Sequence, residues 1–283
     1  MRFVSFAAGR YASFGIVRGD QIADVGRALG GRYTTLGELL RAGEFPRAMD
    51  LGARLEPTIA LDSIRYLPVV PDPEKLICIG VNYGNRNEEY KDGAEAPKYP
   101  SVFMRTPGSL VGHGEPIWNP PESDQLDYEG EIVLVIGKGG RRIPEENAWE
   151  HLAGLSLMNE GSVRDWLRHS KFNVTQGKNF ERSGAFGPWL MTADEFGDPY
   201  VQSVVTRLNG VEKQRCVLRE MLNSIENQIA YISEGITLRP GDVIATGTPG
   251  SLPGTDKHMH YGDEVEVEIT GLGVLRNRVG KAA

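Results

Sequence analysis

The sequence predicts an α+β, strand-rich fold, and three observations predict it. Glycine supplies 35 of the 283 residues and proline 17, against a usual glycine share of about 7%. Such a composition means many tight turns joining short elements, which favours a β-rich body over a helical bundle. Apolar and polar residues also alternate with period two in segments spread from Phe3 to Ile269, the pattern of half-buried strands. Against this, sustained helical periodicity is clearest in one stretch, where Leu218, Met221, Leu222, Ile225, Ile229 and Ile232 form an amphipathic stripe.

Taken in order, residues 1–68 read as a small N-terminal α/β unit. Phe3–Ala8 and Tyr11–Val17 alternate as strands, and Thr34–Ala42 carries a short helical pattern. The run Pro68-Val69-Val70-Pro71-Asp72-Pro73 interrupts regular structure and reads as a linker. A second, larger domain is expected over residues 74–283. It opens with a buried strand, Leu76–Val81, followed by the polar segment Asn82–Pro97, read as a mobile lid because few apolar residues pin it.

Two further helices are expected. One has Pro144 at its first position, Glu145 and Glu146 in its first turn and Gly154 past its end. The other is capped by Ser162 and runs through Arg164, Asp165, Trp166 and Leu167. After the Leu218–Ile232 stripe the chain returns to strands at Val243–Thr246 and Glu264–Ile269, where three glutamates form a solvated face.

A hydrophobic content of 40% with 24% charged residues is ordinary for a globular protein. The net charge of −7 argues against a nucleic-acid partner and gives no basic patch for a membrane surface. No apolar run approaches the roughly 20 residues of a spanning helix, and Met1–Phe6 has no signal-peptide core, so the expected location is cytoplasmic. Cys78 and Cys216 lack metal-ligand spacing and read as reduced core thiols.

The stretch Leu126–Gly137 is the most informative. In a strand, Asp127, Glu129 and Glu131 share one face with Val133 and Val135, while Leu126, Tyr128, Ile132, Leu134 and Ile136 share the other. Carboxylates placed side by side repel each other and suit a hard divalent cation between them. A solvated acidic face is the alternative, and these residues alone leave both open.

Several phrases then occur in order: Cys78-Ile79-Gly80-Val81-Asn82-Tyr83, Phe103-Met104-Arg105, Asp127-Tyr128-Glu129-Gly130-Glu131, Asn159–Asp165, Gly177-Lys178-Asn179-Phe180, Gly187-Pro188-Trp189 and Thr246–Gly250. Together they resemble the fumarylacetoacetate hydrolase family over roughly residues 70–280. The resemblance implies a mixed, curved β-roll or barrel-like catalytic domain behind the small N-terminal domain, and a homodimer. It implies Mg2+ or Mn2+ held by Glu129, Glu131 and Glu160, the last standing where most members carry aspartate. Lys178 matches the active-site lysine. Thr248 and Gly247 belong to a loop able to hold a carboxylate, and Arg105, Tyr128 and Arg164 fall among the substrate-binding residues. On the lid, Glu89 matches the family's catalytic glutamate, whereas Arg86 stands where hydrolytic members carry a histidine.

The implied reaction is metal-dependent hydrolysis of a carbon-carbon bond in a small 2-oxo or 2,4-dioxo acid. The ion would stabilise the enolate, and water would need a general base that arginine cannot supply. Isomerisation or decarboxylation of an unsaturated 2-oxo diacid is the alternative, and a non-catalytic relative binding metal and a carboxylate is a third. His258 and His260 read as solvated loop residues, and His151 as a helix surface residue.

Overall fold

Two sheets organise the chain in the computed structural model, which describes residues 1–89, 98–170 and 173–282, with backbone alone at 87–89. The larger sheet has 12 strands among the described residues. Its order runs from Ile59–Ala60 through Gln21–Asp24, Tyr11–Arg18 and Arg2–Ala8 to Gly184–Thr192, then Leu152–Asn159, Gly130–Ile136, Val243–Ala245, Leu76–Ile79 and Val102–Arg105. The second sheet has five strands, ordered Val211–Val217, Ser203–Leu208, Glu264–Ile269, Gly273–Lys281 and Ile117–Asn119. The fold is strand-rich α+β as expected. The large sheet ends on edge strands rather than closing into a barrel.

Gly130–Ile136 is buried along its whole length because both of its faces are covered. Ile132, Leu134 and Ile136 pack in one core with Val204, Val265 and Ile269 of the second sheet. Val133 and Val135 pack in another, with Phe3, Phe14 and Leu36 of the N-terminal segment. A strand sandwiched in this way reads as a continuous apolar run, and only a strong counter-force keeps carboxylates at its start.

The N-terminal segment joins the same sheet. Arg2–Ala8 pairs antiparallel with Gly184–Thr192, so hydrogen bonding passes from residues 1–68 into the larger part of the chain. The proline-rich run at 68–73 is not a solvated linker: Val69 and Val70 are buried, and Ser5 Oγ donates to Val69 O at 2.7 Å. Gly112 sits where a Cβ would stand 2.3 Å from Tyr66 O, so the backbones themselves touch at this seam.

Helices are shorter than the sequence predicts. Leu36–Arg41 is capped by Thr35, whose hydroxyl accepts from Glu38 N–H, and Ile225–Gly235 is capped by Ser224. The helix expected from Pro144 is a 3-10 segment, Glu145–His151, and the strand Leu152–Asn159 follows at once. Gly154 is no helix stop: a Cβ there would stand 2.1 Å from Met191 O, so it permits close approach of neighbouring strands. His151 is buried at the end of this segment rather than exposed, with Nδ1 2.8 Å from Lys138 O. Ser162 and Val163 pair with Asp127 and Leu126, and only Trp166–Arg168 turns helically, capped by Asp165.

His113 lies at the seam, 4.9 Å from the Tyr66 ring, and Arg276 N–H donates to its Nδ1 at 3.1 Å. Burial, reinforced by the Arg276 charge, lowers its pKa to about 4. The folded value lies below the unfolded value of about 6.5, so His113 favours folding above that pH and loses this contribution as pH falls toward 4. Urea unfolding at pH 7 and pH 5 should therefore show a larger stability loss for the parent chain than for His113→Gln. Equal losses would contradict this role.

Candidate active site

The acidic stretch reaches the site through a break in the strand. Leu126–Asp127 and Gly130–Ile136 are separate strands, because the first turns away to pair with Ser162–Val163. Between them, Glu129 N–H donates to Asn159 Oδ1 at 2.9 Å, and Glu160 N–H donates to Glu129 O at 2.8 Å. Gly130 leaves room for the second sheet, since a Cβ there would stand 2.1 Å from Thr206 Oγ1. The predicted alternation survives the break: Tyr128 joins the core, while Glu129 and Glu131 meet on the other side. Glu160, just past the end of Leu152–Asn159, completes a cluster in which one carboxylate oxygen from each residue lies within 4.8 Å of the others. All three residues are at most 2% exposed, which removes the solvated-face reading.

Cations hold these charges together. Glu129 Oε1 accepts from Arg86 Nη2 at 2.6 Å and from Arg164 Nη2, while Oε2 accepts from Ser162 Oγ at 2.8 Å and from Lys178 Nζ. Lys178 Nζ also donates to Glu160 Oε2 at 2.7 Å and lies 5.0 Å from the Phe103 ring centroid. Arg164 Nε donates to Asp127 Oδ2 at 2.6 Å.

Burial opposes ionisation at Glu129, but Arg164, Lys178 and Arg86 outweigh it and hold the carboxyl well below its usual range. Among the described residues no cation is hydrogen-bonded to Glu131: burial pushes it well above its usual range, Glu160 and Glu129 add to this, and the Lys178 charge and the Gly247 N–H at 2.8 Å only offset it. Burial likewise raises Glu160, against Lys178. Burial works against the Lys178 ammonium, yet Glu129 and Glu160 raise its pKa, so it is a charged donor at neutral pH. Neighbouring carboxylates pushed in opposite directions are a signature of functional sites.

The cluster forms the floor of a cavity of about 490 Å3, whose walls include Arg86, Arg164, Lys178, Thr248, Ser101 and Phe103. Of the five residues expected to bind substrate, Arg164 and Thr248 line it, and Arg105, Tyr128 and Gly247 do not. Arg105 lies beneath: its guanidinium donates to Glu160 O at 2.6 Å, Glu160 Oε1 at 3.1 Å, Gly161 O at 2.8 Å and Ser183 Oγ at 2.9 Å. It fixes Glu160 from below. Tyr128 points into the core, its hydroxyl donating to Asp256 O at 3.0 Å. The Gly247 amide and the Thr248 hydroxyl are also committed, to Glu131 and to Gly130 O at 3.0 Å respectively, so this loop orients a carboxylate of the chain itself.

The lid expectation divides. Asn82 and Tyr83 are buried, and Asn82 Nδ2 donates to Thr246 O at 2.7 Å, so the segment's start is anchored. The side chain of Glu89 and the remainder of the segment lie outside the described residues. Sequence reasoning gave no part in the site to Asn82, Asn159, Gln214 or Ser162, the last read only as a helix cap. Three of them stand within the recognised phrases, but Gln214, whose Oε1 accepts from Gly130 N–H at 3.1 Å, carries no sequence signal.

Residues 75–280 match the sequence profile of the fumarylacetoacetate (FAA) hydrolase C-terminal region. The chain belongs to the fumarylacetoacetate hydrolase family. Among its relatives in this family, oxaloacetate tautomerase YisK of Bacillus subtilis (strain 168) is 36% identical over 229 residues, covering 78% of this chain and 75% of that protein. The fumarylacetoacetate hydrolase from Exiguobacterium antarcticum superposes over the full length of both chains with a TM-score of 0.82 at 32% identity. A maleylpyruvate hydrolase from Sphingobium sp. SYK-6, solved with manganese(II) and pyruvate, does so with a TM-score of 0.81 at 26% identity. The family therefore spans tautomerases and hydrolases on one fold.

The geometry of Arg105 makes a structural forecast. Arg105→Met would remove the buried cation that donates to Glu160 Oε1 and to the Glu160 and Gly161 carbonyls, a change worth about 3–5 kcal/mol. Chemical denaturation should show a loss on that scale, and a loss below about 1 kcal/mol would contradict the assignment.

Proposed function

We propose that this chain catalyses metal-assisted enol-keto tautomerisation of a small 2-oxo acid of the oxaloacetate type. The observation that carries this reading is the cavity wall at Arg86. A buried guanidinium, bonded to Glu129 at 2.6 Å, stands where hydrolytic members hold a histidine, and it cannot take a proton from water near neutral pH. Tautomerisation moves one proton between oxygen and carbon and needs no activated water. The relative named as an oxaloacetate tautomerase supports the same choice over hydrolysis.

The residues fit a divalent cation. Three carboxylates supply hard oxygen donors within 4.8 Å of one another, and the Lys178 ammonium, bridging Glu129 and Glu160, already supplies positive charge among them. Burial and the neighbouring Glu160 and Glu129 raise the Glu131 pKa, a cost that a cation among the three carboxylates would relieve, and the manganese-bound hydrolase adds support. Glu129, Glu131 and Glu160 would hold Mg2+ or Mn2+. When bound, the ion supplies Lewis-acid stabilisation of enolate charge on a 2-oxo acid.

The chain's own residues then act as follows. Arg164, fixed by Asp127 at 2.6 Å, orients an anionic substrate on the wall. Lys178, charged and 2.7 Å from Glu160, gives a proton to the substrate carbon as the enol collapses to the ketone. The enol hydroxyl loses its proton in the same turnover, which restores the ammonium.

Following the ultraviolet absorbance of enol-oxaloacetate should reveal catalysed ketonisation with Mg2+ or Mn2+, lost on chelation. Lys178→Met should lower turnover about 100-fold or more, the scale of losing a positioned proton donor. Catalysed hydrolysis of an acylpyruvate without tautomerisation would overturn the reading in favour of carbon-carbon cleavage. We also expect a homodimer, so light scattering should give twice the 31.1 kDa chain mass.

A further inference from the structure

We infer that Gln214, a residue of the second sheet, is a positioning residue for the divalent-cation site and sets Glu131 through Thr248 and the Gly247 loop. This role rests on the cation site proposed above and adds a residue from outside the cavity to it. Val243–Ala245 pairs only with Val133, Leu134 and Val135 of Gly130–Ile136, so the end of the strand that carries Glu131 runs past its neighbour. Beyond Ala245 the contact continues through side chains and single amides. Thr246 donates to Ile132 O through its amide at 3.2 Å and its hydroxyl at 2.9 Å, and Gly247 N–H donates to Glu131 Oε2 at 2.8 Å. Thr248 Oγ1 then donates to Gly130 O at 3.0 Å.

Gln214 closes this seam from the other sheet. It lies on Val211–Val217, is fully buried, and pairs in register with Thr206 of Ser203–Leu208, whose hydroxyl leaves no room for a side chain at Gly130. Gln214 Oε1 accepts from Gly130 N–H at 3.1 Å, and Nε2 donates to Thr248 Oγ1 at 3.0 Å and to Pro249 O at 2.7 Å. These partners fix the sense of the amide, because a backbone N–H can only donate and a carbonyl can only accept. The Thr248 hydroxyl accepts from Gln214 and so sends its own proton to Gly130 O. One side chain therefore holds both backbone groups of Gly130, the N–H directly and the carbonyl through Thr248, together with the loop just past Gly247. Gly130 precedes Glu131 in the chain and Gly247 orients the Glu131 carboxylate. Gln214 thus ties together the two backbones on which the direction of that carboxylate depends, and groups that hold a ligand in place tune the affinity for the metal.

Titrating the metal-stripped full chain with Mn2+ while recording the free-ion electron paramagnetic resonance signal tests this, with thermal unfolding of the same metal-free samples as the check on folding. Gln214→Met, which keeps the length of the side chain and removes its hydrogen bonds, should weaken Mn2+ binding about 10–100-fold, the scale of losing a group that holds a metal ligand. A merely structural role would lower the unfolding temperature and leave the affinity of the folded chain unchanged. Thr248→Val should also weaken binding, whereas Thr248→Ser, which keeps the hydroxyl, should bind nearly as the parent does. The double variant of Gln214→Met with Thr248→Val should lose less than the product of the two single losses, because both act through one contact. If Gln214→Met does not fold, Gln214→Asn, which keeps the amide but withdraws it by one methylene, carries the same expectation. A folded Gln214 variant that binds Mn2+ as the parent does, single losses that multiply, or a Thr248→Ser variant as weak as Thr248→Val overturns the role of Gln214 and leaves the cation site standing. A parent chain that binds no Mn2+ overturns both.

Discussion

The ion pairs of Lys178 with Glu129 and Glu160 are the constraint around which this site is built. Three carboxylates, each almost fully buried, repel one another in a medium that screens poorly, and the chain spends buried cations to hold them. Lys178 bridges two of them, Arg105 holds Glu160 from below, and Arg86 and Arg164 converge on Glu129. Glu131 is the member with no ion pair among the described residues, supported by the Gly247 amide at 2.8 Å. Removing any one cation leaves uncompensated buried charge, which is why the arrangement is better understood as apparatus than as a source of stability.

The fold supplies the rigidity that this arrangement needs. Gly130–Ile136 is clamped between two cores, and its neighbour Leu152–Asn159 runs antiparallel in register, Gly130 opposite Asn159. That pairing brings Glu129 and Glu160 together at the same end of the two strands. The Gly247 loop follows Val243–Ala245, a third strand of the same sheet. Carboxylates on rigid strand ends hold their spacing, and loops tied by Asn82 and Gln214 add the backbone amides that orient them.

Much of this was legible in the sequence because it depends on short-range periodicity. The period-two pattern put Glu129 and Glu131 on one face and Tyr128 in the core, and the structure keeps that parity across a break in pairing. Glu264–Ile269 matches its predicted bounds, with alternating burial. What escaped depends on distant partners. Arg105 meets Glu160 across 55 residues and Gly247 meets Glu131 across 116, so their work of fixing carboxylates could not be told from substrate binding. Gly154 and the Pro144 turn misled for a related reason: a glycine required by a neighbouring strand looks the same in sequence as one that ends a helix.

The central claim is that three buried carboxylates form one site for a divalent ion, with Glu131 the ligand that most lacks a positive partner. Titrating the purified, metal-stripped chain with Mn2+ while recording the free-ion electron paramagnetic resonance signal tests it most directly. One Mn2+ should bind per chain, and Glu131→Gln should abolish that binding while remaining folded. A parent chain that leaves all the Mn2+ free, or a Glu131→Gln variant that binds it as the parent does, would contradict the account.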